Sequence, residues 1–130
     1  MVLIDTSIWI PFLNDPNDNI SQRMFDLITN DQVCICPTIV QELLQGCRTE
    51  NDFTNLSLKL DALQKLQIDP YQSAEGAAQL FFSLKKKGIS IRKSNDCLIA
   101  WNALYFDIPI WHRDRDFDHI ALGSNLQLFN

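Results

Sequence analysis

The chain has 130 residues, of which 46% are hydrophobic and 21% charged, and its formal net charge is −5. These values are typical of one soluble domain and leave little room for a second. No stretch approaches the roughly 18–20 consecutive apolar residues of a membrane-spanning helix. Asp5 ends the first apolar run too early for a secretory signal. We therefore expect a single domain over residues 1–130, no membrane association and a cytoplasmic location.

The first part of the chain alternates short apolar runs with amphipathic segments. The apolar runs predict buried strands at Val2–Ile4 and Val33–Cys36. The amphipathic segments predict helices, which are expected at Ser7–Leu13, Asp18–Thr29 and Pro37–Leu44.

The second part continues the alternation. Leucines at helical spacing predict a helix over Asn51–Leu66, and Ile68–Pro70 is a connector or a minor strand. The remaining predicted elements are helices at Ser73–Lys87, Ser94–Phe106 and Asp114–Ala121, with strands at Ile108–Trp111 and Leu126–Phe129. Continuous apolar strands between helices favour an α/β fold with a parallel sheet of about four to five strands, flanked by helices.

The four cysteines do not indicate a disulfide framework or a zinc site. Cys34, Cys36 and Cys97 lie inside apolar runs, and Cys47 lies at a predicted helix end. Buried free thiols are common in such runs, disulfides are rare in the cytoplasm, and no pair has the spacing of zinc ligands. We expect reduced structural cysteines.

Four acidic residues lie where the predicted parallel sheet would have an active site. Such sites form outside the carboxyl ends of the strands. Each acid also has a local interpretation. Asp5 could cap a helix and Asp96 could stabilise the first turn of one, whereas Glu42 could be a solvated side chain and Asp114 a turn residue. The four are Asp5, Glu42, Asp96 and Asp114.

A shared position for these carboxylates would require a counter-charge. Without basic partners they would repel one another and their pKa values would rise. A hard cation such as Mg²⁺ or Mn²⁺ removes the repulsion, since it prefers oxygen ligands and keeps several waters.

Four segments, in order along essentially the whole chain, resemble the motifs of PIN-domain nucleases. They are Asp5–Ile10, Val40–Gly46, Ser94–Ala100 and Trp111–Ala121. The length and compactness look most like the VapC-type toxins of prokaryotic type II toxin–antitoxin pairs. The resemblance implies a Mg²⁺- or Mn²⁺-dependent endoribonuclease, often a homodimer, that is held inactive by an antitoxin encoded alongside it.

The resemblance also implies roles for particular residues. The four acids named above would hold the metal and activate water for hydrolysis of RNA phosphodiesters. Asp114 is preferred as the fourth acid because it is nearest the strand end, and Asp116 is the alternative. Thr6 or Ser7 would support the site through the backbone turn or a hydroxyl. A PIN-like scaffold that binds RNA or protein without turnover is the alternative function.

Basic charge is local in this acidic chain and would guide RNA to the metal. The helix-end lysines have an alternative role, stabilising the negative end of a helix. Changing Arg92 and Lys93 to Ala is expected to weaken RNA binding but not metal affinity, because neither can ligate a cation. The candidate RNA-binding residues are Lys85, Lys86, Lys87, Arg92, Lys93, Arg113 and Arg115.

A short helix after Asp5 carries the candidate partner surface. Trp9, Phe12 and Leu13 are large apolar side chains on a helix too small to bury all of them. Exposed apolar patches mark interfaces, which favours a protein partner such as the antitoxin. The alternative is that all three belong to the core.

Overall fold

A four-stranded parallel sheet lies at the centre of the computed structural model, which describes residues 1–130. Its spatial order is β3–β2–β1–β4, and every neighbouring pair is parallel. Parallel neighbours need long crossover connections, and the helices supply these. The strands are β1 (Val2–Ile4), β2 (Val33–Ile35), β3 (Gln64–Lys65) and β4 (Ile110–Trp111).

Seven helices surround the sheet. None of them combines the length and the apolar character needed to cross a membrane. The helices are α1 (Thr6–Asn14), α2 (Ser21–Thr29), α3 (Pro37–Gln45), α4 (Glu50–Asp61), α5 (Pro70–Lys86), α6 (Ser94–Tyr105) and α7 (Arg115–Leu122).

The apolar runs form the core as predicted. Every residue of β1, β2 and β4 is buried, and these strands join one core cluster of 28 buried residues. Three of the four cysteines are buried and all four are free. The predicted α/β class with a parallel sheet is confirmed.

The prediction of one helix over Asn51–Leu66 is wrong at its C-terminal end. Helix α4 ends at Asp61, and after a two-residue turn the chain forms β3, in which Gln64 pairs with Cys34 of β2. The leucine spacing continues past the helix because Leu66 also reaches the core, where it is 4% exposed. Pairing with the sheet edge therefore overrides the local helical pattern.

Of the two alternatives for Ile68–Pro70, the connector is correct and the minor strand is not: Ile68 and Asp69 belong to no strand, and Pro70 begins α5, three residues before the predicted start at Ser73. The Asp69 carboxylate accepts a hydrogen bond from the Gln72 backbone N–H at 3.0 Å. Pro70 occupies the first helical position, where its missing N–H costs nothing.

Other boundaries also differ from the prediction, and β4 begins at Ile110 instead of Ile108. The expected strand Leu126–Phe129 is reduced to one bridge, between Leu128 and Ile110. Helix α2 begins at Ser21 instead of Asp18. Asp18 lies in the turn before the helix, where its carboxylate accepts the backbone N–H of Ile20 at 3.1 Å.

Strand β1 has β2 and β3 on one side and β4 on the other. From β1 the chain moves through β2 to β3 on one side, whereas β4 returns on the other side of β1. Ile4 pairs with Trp111, and the Asp5 backbone N–H donates to the Trp111 carbonyl at 2.9 Å. The residues that follow these two strands therefore meet at a topological switch point, where open parallel sheets bind ligands.

Candidate active site

Three aspartates converge at this edge of the sheet. Asp96 lies in the first turn of α6, Asp114 is the N-cap of α7, and Asp116 lies in the first turn of α7. One carboxylate oxygen from each lies within 4.8 Å of the others. We call these three residues the aspartate cluster.

Asp96 is the member of the cluster with the least favourable environment for a charge. Its side chain is buried, and its Oδ2 atom has no hydrogen-bond partner. Burial raises the pKa of Asp96 to about 7, with further contributions from the charges of Asp114 and Asp5, while the Lys93 ammonium opposes the rise. An unpaired, buried carboxylate oxygen at this position is available to a cation.

Asp114 and Asp116 are held by the start of α7. The Asp114 Oδ1 atom accepts the Asp116 backbone N–H at 3.0 Å, and the Asp114 backbone N–H donates to His112 Nδ1 at 3.1 Å. Burial alone would raise the pKa of Asp114, but hydrogen bonds from Lys93 and the Asp116 backbone outweigh it and lower the pKa. Asp116 is 1% exposed, so the alternative fourth acid lies deeper in the cluster than the preferred one.

Asp5 lies beside the cluster at the end of β1. It caps α1, since its Oδ2 atom accepts the backbone N–H of Ser7 at 3.0 Å and the Ser7 hydroxyl at 2.6 Å. The Ser7 hydroxyl in turn accepts the Arg113 backbone N–H at 2.9 Å. Asp5 is outside the three-residue set, yet its charge contributes to the raised pKa of Asp96.

Glu42, on α3, is also outside the set and is half-buried. Its Oε1 atom accepts a hydrogen bond from the Thr6 hydroxyl at 2.8 Å. The pKa of the Cys36 thiol rises to about 12, mainly through burial and also through the charges of Asp5 and Glu42. Both carboxylates are therefore close enough to act on the residue that follows β2.

Two basic side chains contact the aspartate cluster. The Lys93 Nζ atom lies 2.5 Å from Asp114 Oδ2 and 3.8 Å from Asp96 Oδ2. The Arg92 Nη2 atom lies 3.4 Å from Asp116 Oδ2. The carboxylates of the cluster therefore have basic partners. The expectation that Arg92 and Lys93 do not affect metal affinity considers ligation alone, and these contacts add a second route by which they could act.

The other candidate RNA-binding residues lie in different surroundings. The Arg113 guanidinium makes two hydrogen bonds to Asp18, at 2.7 and 3.0 Å, and Arg115 makes no ion pair. Lys85 and Lys86 lie in the last turn of α5, and Lys87 donates to the Gly123 carbonyl at 2.7 Å.

The predicted partner surface is only partly exposed. Trp9 is 3% exposed and belongs to the core, and Phe12 packs against the core. Leu13 is exposed, together with Ile10, and both line a groove of about 820 Å³ between α1, α3 and α4. Glu42 also lines this groove, which therefore reaches the acidic side of the site.

The donor set fits a hard divalent cation. The cluster offers only carboxylate oxygens, which suit Mg²⁺ or Mn²⁺ and not softer metals. The Oδ2 atom of Asp96 has no hydrogen-bond donor and only the Lys93 ammonium at 3.8 Å, so it can serve as a ligand.

Known proteins resemble the chain over nearly its full length. A family model described as "PIN domain" matches residues 2–122. Ribonuclease VapC11 of Mycobacterium tuberculosis is 33% identical over 129 residues, which cover 98% of this chain and 96% of that relative. Among solved structures, VapBC2 from Rickettsia felis bound to a DNA fragment from the promoter has a TM-score of 0.78 at 21% identity, over 100% of this chain and 98% of that chain. A second structure is VapBC-5 from Mycobacterium tuberculosis, a member of the VapBC family of toxin–antitoxin systems, with a TM-score of 0.63 at 20% identity, over 98% and 96% of the two chains. These similarities confirm the predicted PIN-like fold.

Proposed function

The chain belongs to the PIN-domain family, and on that premise we propose that it is a VapC-type toxin, a Mg²⁺- or Mn²⁺-dependent endoribonuclease. The observation that carries the proposal is the convergence of Asp96, Asp114 and Asp116 at the switch point of the sheet. The choice of RNA is supported by the relative named a ribonuclease.

The protein residues would hold the metal and keep the neighbouring carboxylates in place. Asp96, Asp114 and Asp116 are the proposed ligands of one cation, with Asp5 and Glu42 on the adjoining sides. A divalent cation supplies activation of water for attack on a phosphodiester and neutralisation of negative charge on the phosphate. Hydrolysis of this kind leaves a 5′ phosphate and a 3′ hydroxyl.

Two hydroxyl groups would orient the outer carboxylates. The Ser7 hydroxyl donates to Asp5 and the Thr6 hydroxyl donates to Glu42. A hydrogen bond to a charged group is stronger than one between neutral groups. These contacts support a positioning role for both residues, with Asp5 and Glu42 ligating directly or through water.

The exposed basic residues would bind the RNA backbone. Arg115 and the three lysines at the end of α5 are exposed, and Arg115 has no acidic partner. Phosphate contacts from such side chains supply affinity without sequence specificity. We therefore propose that they guide RNA towards the cluster in a protein whose net charge is −5.

We propose that the antitoxin binds in the groove between α1, α3 and α4. Ile10, Leu13 and Leu43 line it with apolar surface, and its charged lining is balanced, with Arg48 and Lys59 opposite in charge to Glu42 and Asp52. An amphipathic peptide segment whose apolar face enters the groove matches this lining. Because the groove reaches Glu42, a bound segment would also restrict access to the active site.

We also propose that the protein is a homodimer and that it acts in the cytoplasm. Helices α5 and α6 expose large aromatic side chains, with Phe82 60% and Tyr105 47% exposed. Apolar surface of this kind favours self-association. Light scattering of the purified protein measures the oligomeric state directly, and a monomer at high concentration would contradict this part.

Mapping of cleavage products tests the proposed activity. Purified protein is incubated with total cellular RNA and Mg²⁺, and the new 5′ ends are sequenced. We expect discrete internal sites bearing 5′ phosphates, and none after treatment with Asp5→Asn protein. Cleavage of DNA at equal rate, or only exonucleolytic shortening, would contradict an endoribonuclease.

A non-enzymatic PIN-like scaffold is the second candidate, favoured by the ion pairs of Lys93 and Arg92 with the cluster. These pairs supply counter-charge without any metal. Melting scans with and without Mn²⁺ separate the two functions, because a ligand at a hundredfold excess over its dissociation constant stabilises the folded state by about 2.7 kcal/mol. A melting temperature that is independent of Mn²⁺ would favour the scaffold.

A further inference from the structure

We infer that Lys93 and Arg92 compete with a divalent cation for the aspartate cluster and thereby set its metal affinity. The inference rests on the metal site of the proposed function and concerns the regulation of that site. It predicts that loss of a positive charge from the protein strengthens metal binding, and that this gain depends on direct contact with the cluster.

Lys93 faces the same oxygen atoms that a cation would use. Its ammonium group lies between two members of the cluster, 2.5 Å from Asp114 Oδ2 and 3.8 Å from Asp96 Oδ2. The Asp96 Oδ2 atom is the buried oxygen without a hydrogen-bond partner, on a residue that is 4% exposed. An ammonium and a divalent cation cannot both contact these oxygens without strong repulsion between their charges.

Arg92 supplies a second positive charge to the cluster, next to Asp116 and Asp114. Its Nη2 atom lies 3.4 Å from Asp116 Oδ2 and 4.0 Å from Asp114 Oδ1. Each carboxylate of the cluster therefore has an oxygen that faces a positively charged side chain. Arg92 and Lys93 are consecutive, so the turn before α6 presents both charges together.

The contacts allow displacement by a metal. The side chains of Arg92 and Lys93 are 61% and 56% exposed, and neither donates a hydrogen bond to any group outside the cluster. The carboxylates that they pair with are largely buried, so these two side chains can turn towards solvent at small cost when a metal replaces their charge. Once displaced, both charges lie beside the metal and are free to contact an RNA phosphate.

Titration of Mn²⁺ by calorimetry, without RNA, tests the inference. The variants are Lys93→Met and Arg92→Met, which keep an unbranched side chain and remove the charge. Arg115→Met is the matched control, because it removes the same charge near the same carboxylates but makes no ion pair with them. We expect Lys93→Met to bind Mn²⁺ at least about fivefold more tightly than the wild type, because Lys93 pairs with largely buried carboxylates and fivefold is already the upper end for a fully exposed pair. Arg92→Met should show a smaller gain, and Arg115→Met should stay within about twofold of the wild type.

Three results would overturn the inference. Equal or weaker Mn²⁺ binding by both Lys93→Met and Arg92→Met would contradict competition while leaving the metal site of the proposed function intact. An equal gain in Arg115→Met would show that net charge, and not contact, controls the affinity. Absence of Mn²⁺ binding by the wild type and by every variant would contradict the proposed metal site itself. Circular dichroism melts of each variant verify that the titrated protein is folded.

Discussion

The Ser7 hydroxyl donates a hydrogen bond of 2.6 Å to the Asp5 carboxylate. The same hydroxyl accepts the backbone N–H of Arg113 at 2.9 Å. One small side chain thus fixes the carboxylate at the end of β1 and connects it to the segment that follows β4. Ser7 is therefore a positioning residue for Asp5.

Ser7→Ala should lower kcat for RNA cleavage by about tenfold, because a hydrogen bond to a charged group is worth about 1.5–3 kcal/mol. KM should change little, since Ser7 has no proposed contact with RNA. Steady-state kinetics on a short fluorescent RNA measure both constants. Ser7→Thr retains the hydroxyl and is the matched control, and equal kcat for Ser7→Ala and the wild type would contradict the positioning role.

Only part of this arrangement could be predicted from the sequence. An aspartate two residues before a serine at the start of a helix is a capping pattern, so the Asp5–Ser7 contact is locally encoded. The Thr6–Glu42 hydrogen bond joins residues 36 positions apart, and no local pattern reports it. The Lys93–Asp114 ion pair joins residues 21 positions apart and is hidden for the same reason, whereas the Lys93–Asp96 pair is local, at a spacing of three residues.

Asp96 should make the stability of the metal-free protein depend on pH. Its pKa is about 7 in the folded protein and 3.8 in the reference state, so the folded state binds more protons in between. The free energy of unfolding therefore falls as the pH rises through this window, by about 2–3 kcal/mol between pH 5 and pH 8. Urea denaturation in EDTA at both pH values measures the difference.

Asp96→Asn is the control for this pH dependence. The amide does not ionise, so the variant should lose most of the fall in stability and be the more stable protein at pH 8. Identical pH profiles for the wild type and Asp96→Asn would show that Asp96 does not titrate in this range.

Arg115 and Arg113 should differ in their contribution to RNA binding. Arg115 makes no ion pair, whereas the Arg113 guanidinium is held by Asp18. For single strands each phosphate contact adds about 0.7 to the slope of log affinity against log salt. Arg115→Ala should flatten the slope by about that amount and Arg113→Ala by less. Fluorescence anisotropy in EDTA measures both slopes, and a larger effect of Arg113→Ala would contradict the assignment.

Gly76 allows α5 and α6 to pack closely. A Cβ atom at this position would lie 2.1 Å from the Trp101 ring. Gly76→Ala should therefore destabilise the fold by about 1–3 kcal/mol, despite the better helix propensity of alanine. Thermal denaturation measures this loss. In a Trp101→Leu background the same substitution should cost less, and an equal cost in both backgrounds would place the strain elsewhere.

The fold was predictable where burial and local chemistry agree. The apolar runs of β1, β2 and β4 are fully buried, and their pattern identified them. β3 consists of exposed residues that pair with a sheet edge, so composition did not reveal it. Helix α5 begins at Pro70, three residues before the predicted start at Ser73, because Asp69 caps it.

The central claim is that the aspartate cluster supports metal-dependent cleavage of RNA. The most direct measurement is the initial rate of cleavage of one fluorescent RNA across a Mn²⁺ titration, for the wild type and Asp96→Asn in parallel. We predict no cleavage by the wild type in EDTA, a rate that saturates with Mn²⁺, and a loss of at least about a hundredfold in Asp96→Asn at every Mn²⁺ concentration. Cleavage in EDTA, or a wild-type rate in the folded Asp96→Asn protein, would contradict the claim.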